Sequence, residues 1–267
     1  MRLEVLHRPA HGAGRFHTHR APVLFVHGAF CGAWVWDRHF LPYFAERGVS
    51  AHAMSLRGHG ASAGGEALAL TSLSDYVEDV ARVVADLDGP PVLIGHSMGG
   101  MVVQKYIERH PALGMVLMSS VPPLGLMMPS LHMAMAAPEV WWQIALLQSV
   151  GSTAVIPQVF HRALFSPEVP IEETQPYLSM MQNESSRVVF DMLGLDLPRL
   201  PRRPLPPALV VGGGRDAFIP TSALHQTAMV YKADIEVFPG LPHGIMLDPG
   251  WQLVADRILD WLEENGF

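Results

Sequence analysis

Residues Val92-Leu93-Ile94-Gly95-His96-Ser97-Met98-Gly99-Gly100 place one serine between two glycines, at the point where an apolar run ends and a helical pattern begins. A strand, a sharp turn and a helix hold a nucleophile in a strained, exposed position, and small residues on both sides let the flanking backbones pass. The turn also sets Ser97 at a helix N-terminus, whose free N–H groups favour a developing negative charge. A serine that merely capped the helix would need none of the surrounding glycines. Ser97 is therefore the candidate nucleophile.

A serine hydroxyl reacts poorly at neutral pH without a base, and the base needs an orienting partner. His243, in Leu241-Pro242-His243-Gly244, lies in a loop beyond the last strand pattern and just before the terminal helix. His225 falls inside a helical pattern, which suits a helix-surface residue better. For the acid, Asp216 follows the strand pattern at 208–212 within Gly212-Gly213-Gly214-Arg215-Asp216, where glycines let the chain turn. Its competing role is an ion pair with Arg215. Among other carboxylates, Asp248 is placed to cap the last helix and Asp234 to begin a strand. After the strand pattern at 114–119, no carboxylate occurs before Glu139. The expected site is Ser97, Asp216 and His243.

Positioning these three requires strands that end in loops on one side of a sheet. Short β-branched apolar runs alternate with longer helical patterns, the signature of a mostly parallel twisted sheet with helices on both faces. Strands are predicted at 1–12, 23–27, 49–55, 92–96, 114–119, 208–212 and 235–238, and helices at 36–47, 74–88, 99–110, 220–233 and 250–264. From Val121 to about Asp196 no strand pattern occurs. The reading is an α/β core domain over 1–120 and 197–267, interrupted by a helical cap over 121–196, with prolines 198, 201, 204, 206 and 207 in the return connection.

Composition narrows the function. The 267 residues are 49% hydrophobic and 16% charged, with a net charge of −7, which excludes disorder. One cysteine makes no internal disulfide. Lys105 and Lys232 are the only lysines, so no basic field exists for nucleic acid. Between Arg109 and Arg162 the only charged residue is Glu139. Six prolines and a run of Gln and Ser side chains break that stretch, which argues against a membrane span. The N-terminus lacks the apolar core of a signal peptide, giving a cytoplasmic expectation. His7, His11, His17 and His19 have neither a Cys partner nor a common helical face, and suit a solvated hairpin better than a metal site.

The order Ser97, Asp216, His243 is that of the α/β-hydrolase fold. Over nearly its whole length the chain resembles that superfamily, on His27-Gly28-Ala29-Phe30, Arg57-Gly58-His59-Gly60-Ala61-Ser62, the Gly-His-Ser-Met-Gly-Gly turn, and the loops bearing Asp216 and His243. The resemblance implies an oxyanion hole from the backbone N–H groups of Ala29 and Met98, with Phe30 the alternative to Ala29. It gives His27, Gly28, Arg57 and His59 loop-shaping roles. Relatives often carry an acid two positions before the arginine; Ser55 stands there, so a bracing ion pair is expected to be missing. Cys31 is expected as a small buried side chain. The resemblance also implies that the insertion is a lid. Seven of the 15 methionines lie there, with Trp141 and Trp142, and Phe30, Met128, Trp141 and Trp142 are the expected substrate contacts.

The leading reading is a serine esterase or lipase that needs no cofactor or metal and acts on a small ester with apolar acyl or alcohol groups. Partner nucleic acid and integral membrane insertion are not expected, and self-association is left open. The alternatives keep the triad but cleave a thioester, amide, lactone or carbon–carbon bond, or keep the scaffold as a ligand receptor. Residues 28–36 look similar to plant methylesterases and hydroxynitrile lyases, yet the insertion has no lysine to stabilise a cyanide leaving group. Carbon–carbon hydrolases usually carry an aromatic residue where this chain has Gly244.

Overall fold

The computed structural model describes residues 1–11, 21–150, 156–200 and 204–267. Seven strands form one sheet: β1 (Glu4–Arg8), β2 (Val23–Val26), β3 (Ala51–Ser55), β4 (Val92–His96), β5 (Gly114–Met118), β6 (Ala208–Gly213) and β7 (Asp234–Phe238). Their spatial order is β1-β3-β2-β4-β5-β6-β7. Only β1, at one edge, runs antiparallel to its neighbour. β2, β4, β5 and β6 are buried along their whole length, as a parallel sheet covered on both faces requires, which is why these stretches read as unbroken apolar runs.

Helices cover both faces. One layer is α1 (Trp34–Asp37), α2 (Phe40–Glu46) and, from the chain's end, a terminal helix; the other begins with α3 (Leu73–Ala85) and α4 (Met98–Tyr106). The predicted helix at 36–47 is in fact two, broken at Arg38–His39. α3 starts on a reciprocal capping box between Ser72 and Asp75, a strong local start signal. Between β5 and β6 the described chain has helices and loops but no strand: α5 (Met127–Ala136), α6 (Pro138–Val150), α7 (Pro157–Leu164), α8 (Ile171–Ser179), α9 (Ser186–Phe190) and a π-type turn at Asp191–Leu195. α10 (Thr221–Tyr231) joins the α3–α4 layer, and α11 (Trp251–Glu264) is the terminal helix of the other. No helix among the described residues is long and apolar enough to cross a membrane.

β1 carries His7, whose ring stacks on His52 of β3 at 4.0 Å between centroids. His17 and His19 lie outside the described residues, as does Pro201.

Candidate active site

Ser97 follows β4 directly and opens α4 with φ 52° and ψ −118°, a left-handed φ that a side chain disfavours. The tight turn is held by backbone hydrogen bonds: the Ser97 N–H donates to Met118 O at 3.0 Å, and the Val121 N–H donates to Ser97 O at 3.0 Å. A methyl group at Gly99 would collide with the backbone oxygens of Val26 and His27, and one at Gly95 with the backbone of Gly99 and Gly100. The glycines that flank the serine are thus required by the close approach of β2, β4 and α4.

The loops after β6 and β7 meet beside this turn. His243 Nδ1 lies 2.7 Å from Asp216 Oδ2, and both side chains are almost fully buried. The other carboxylate oxygen, Oδ1, accepts the N–H groups of Phe218 at 2.8 Å and Ile219 at 2.9 Å. Burial pushes the Asp216 carboxyl up, but the adjacent His243 imidazole and these hydrogen bonds outweigh it and hold it below the usual carboxylate range. His96, next to the serine, has its pKa pushed down to about 3 by burial and by His243. A neutral His96 has one ring N–H, and its Nε2 lies 3.0 Å from His243 O, so that N–H anchors the histidine loop from below. Phe218 packs against the His243 ring at 4.6 Å. His225 sits on α10, its Nδ1 2.8 Å from Thr221 O, away from this cluster. Asp248 is used twice elsewhere: it accepts the Ser166 N–H at 2.8 Å and the Gly250 N–H at 3.1 Å.

Ser97 and His243 line one cavity of about 460 Å³, within the usual range for a small-molecule site. Ala29, Phe30, Cys31 and Met98 share its wall, and among the described residues no Asp, Glu, Lys or Arg does. Burial raises the Cys31 thiol to about 12, so it is a neutral wall group. Ala29 and Met98 line the cavity together with Ser97. The Phe30 N–H is engaged elsewhere, facing Glu184 Oε2 at 3.4 Å, which favours Ala29 over Phe30 as a donor to a bound oxygen.

Of the four residues expected to touch substrate, Phe30 and Trp141 line the cavity, whereas Met128 and Trp142 do not. These two are 70% and 57% exposed. The reason is helical phase at about 100° per residue. At the start of α5 and along it the cavity takes the N-cap Leu126, then Ser130 and Met133, and Met128 is two residues, hence about 200°, from both Leu126 and Ser130. On α6 it takes Trp141, Ile144, Ala145 and Gln148, leaving Trp142 about 100° off that face.

The loops that carry Ala29 and His59 are braced by charge. Arg57 forks onto Asp79, with Nε to Oδ2 at 2.9 Å and Nη2 to Oδ1 at 2.8 Å, and reaches Asp75 at 2.8 Å. The bracing ion pair expected to be missing is therefore present, supplied by α3. A carboxylate also stands beside Ser55: Glu4 of β1 accepts the Ser55 hydroxyl at 2.5 Å and the Ala61 N–H at 3.0 Å. His27 Nδ1 bonds Gly28 O at 2.8 Å while Nε2 accepts the Leu56 N–H at 3.0 Å, joining the two loops. Sequence reasoning missed Glu184, fully buried against His59 and Tyr76. No spacing signal marks it, because the Tyr76 and Phe30 groups it meets lie more than 100 residues away.

A mostly parallel sheet that ends in a serine turn, with a histidine from one later loop lining the same cavity and held by a carboxylate from another, defines an α/β hydrolase. A family model described as "Alpha/beta hydrolase family" matches residues 23–257. The chain belongs to that family and is a hydrolase enzyme. It is 27% identical over 237 residues to a monoacylglycerol lipase of Mycolicibacterium smegmatis, covering 84% of this chain and 81% of that protein. A non-heme haloperoxidase of Rhodococcus erythropolis is 37% identical over 117 residues, 42% of this chain and 39% of that protein. Among solved structures, an esterase from Exiguobacterium antarcticum has a TM-score of 0.75 at 19% identity, covering 98% of this chain and 95% of that one. A monoacylglycerol lipase of Paleococcus ferrophilus has a TM-score of 0.69 at 20% identity, covering 99% and 100%.

Proposed function

We propose that the protein is a serine esterase of lipase type that cleaves uncharged esters with an apolar acyl or alcohol group. Ser97 Oγ attacks the ester carbonyl and His243 Nε2 takes its proton, then returns it to the departing alcohol. Asp216 holds the imidazole by Nδ1 and stabilises its charged form. The Ala29 and Met98 N–H groups receive the oxyanion of the tetrahedral intermediate, each worth roughly 10² to 10³ in rate. Water repeats the cycle on the acyl-enzyme. Residues 121–196 act as the cap whose α5, α6 and α8 faces roof the acyl site, with Trp141 and Phe30 as substrate contacts.

The observation that carries this reading is the His243–Asp216 contact at 2.7 Å, opening onto the same cavity as Ser97. Among the described residues no Asp, Glu, Lys or Arg lines the cavity, which suits an uncharged ester and penalises a free acid or a charged amine. Relatives named monoacylglycerol lipase and esterase support an ester substrate. The test is hydrolysis of a p-nitrophenyl ester series by the purified protein and by Ser97→Ala. The variant is expected to fold with an unchanged melting temperature and to lose ester turnover. Turnover retained by Ser97→Ala would overturn the assignment.

A further inference from the structure

Glu184 stands in the loop between α8 and α9, yet its carboxylate is buried beneath the body of the enzyme. Oε1 accepts the Tyr76 hydroxyl at 2.6 Å and the Ser185 N–H at 2.7 Å. Oε2 lies 3.2 Å from His59 Nε2 and 3.4 Å from the Phe30 N–H. Burial disfavours the charged forms of both Glu184 and His59. Their mutual attraction and hydrogen bonds prevail, so the carboxyl is held below its ordinary range and the imidazole above it. Glu184 is therefore favoured as a carboxylate, and a buried carboxylate of this kind is costly to keep unless its donors are all in place.

One of those donors belongs to the loop that carries Ala29. Phe30 has φ 64°, a conformation that a residue with a side chain resists. Both sides of Phe30 are held by the same cap segment: its N–H faces Glu184, and its C=O accepts the Gln182 N–H at 2.9 Å. Gln182 Oε1 in turn accepts the Gly60 N–H at 2.7 Å. A carboxylate attracts the N–H edge of the Ala29–Phe30 peptide and repels its C=O edge. It thus favours one orientation of that peptide, which joins at the Ala29 Cα to the Gly28–Ala29 peptide that carries the Ala29 N–H. A neutral amide at this place would accept either edge.

We propose that Glu184 is a positioning residue for the oxyanion hole, supplied by the cap to hold the Phe30 turn in the orientation that aims Ala29 N–H at the reacting carbonyl. The inference rests on the serine esterase reading. It predicts a rate effect without a binding effect, because the ester's ground state does not depend on the hole.

The experiment compares kcat and KM for p-nitrophenyl butyrate, and the affinity for an alkyl boronate that forms a tetrahedral adduct, in wild type, Glu184→Gln, Phe30→Gly and the double variant. Glu184→Gln is expected to lower kcat about 10- to 100-fold, with KM within about threefold, and to weaken boronate binding in step with kcat. Glycine adopts φ 64° without strain, so in the Phe30→Gly background the same change should cost less than about threefold, a coupling that a general packing defect at 184 would not produce. Melting temperatures identify any variant that fails to fold. If Glu184→Gln does, Glu184→Asp keeps the charge but shortens the side chain that reaches Phe30, and the same kcat loss is expected. A folded Glu184 variant with kcat within about twofold of wild type, or an equal loss in the Phe30→Gly background, would overturn the proposal. Wild type that neither hydrolyses the ester nor binds the boronate would instead overturn the esterase reading.

Discussion

Replacing Asp216 by asparagine changes one atom and should nearly abolish turnover, for a reason visible in the hydrogen bonds. The Oδ1 site faces two N–H donors, Phe218 at 2.8 Å and Ile219 at 2.9 Å. Turning the amide nitrogen toward them would leave buried donors facing donors, each costing about 1–3 kcal/mol. The asparagine oxygen therefore stays there, and its NH₂ falls where Oδ2 now meets His243 Nδ1 at 2.7 Å. Nδ1 must then accept, which moves the imidazole proton to Nε2, the atom assigned to take the Ser97 proton. A ring protonated at Nε2 is no base. The same tautomer error in a serine protease lowers kcat by about 10⁴, or ~5.5 kcal/mol in barrier. KM should hardly change, because Asp216 does not line the cavity. Steady-state hydrolysis of p-nitrophenyl butyrate measures both constants, and circular dichroism checks the fold. A folded Asp216→Asn variant with kcat within tenfold of wild type would refute this account of the pair.

Two further outcomes follow from the cap and from the buried histidines. For an octanoyl ester, Trp141→Ala or Met133→Ala should lower kcat/KM about tenfold by losing apolar contact worth ~1.5 kcal/mol or more, while Met128→Ala and Trp142→Ala, on outward faces, should stay within about twofold; equal effects at all four positions would refute the assigned faces. Burial depresses His27 and His96 to about 3 and His52 to about 4, so the unfolded chain binds more protons than the folded one below its ordinary histidine pKa near 6.5. The contribution of these three should be full above that pH and fall between about 6.5 and 3; His59, raised in the fold, keeps its contribution throughout this window and loses it only as pH rises through its own pKa. Urea midpoints at pH 7 and pH 5 check this, and equal midpoints would contradict it.

Much of the sheet and the candidate site could be read in the chain because both depend on local chemistry. Parallel strands buried on two faces have little choice but unbroken apolar runs, and β4 was predicted over the residues it occupies. The glycines beside Ser97 are forced by backbone contact within a few residues and one neighbouring strand. What escaped depends on distant partners or on direction. Met128 and Trp142 have the right residue types, but which face of α5 or α6 meets the cavity is set by packing of the cap on the body. Glu4 takes the place beside Ser55 through antiparallel pairing of β1 with β3, and Glu184 reaches Phe30 across 154 positions of chain. Neither link has a local pattern. The break at Arg38–His39 in the predicted helix likewise has no local pattern; there the His39 ring stacks on the distant Trp251 at 4.7 Å.

The central claim is that Ser97 is a nucleophile activated by His243. A fluorophosphonate probe, followed by peptide mapping in a mass spectrometer, tests it most directly. Stoichiometric labelling confined to Ser97, abolished by Ser97→Ala and slowed by several orders of magnitude in His243→Ala, is the predicted result. A folded wild-type protein that takes up no label, or takes it up at another residue, would contradict it.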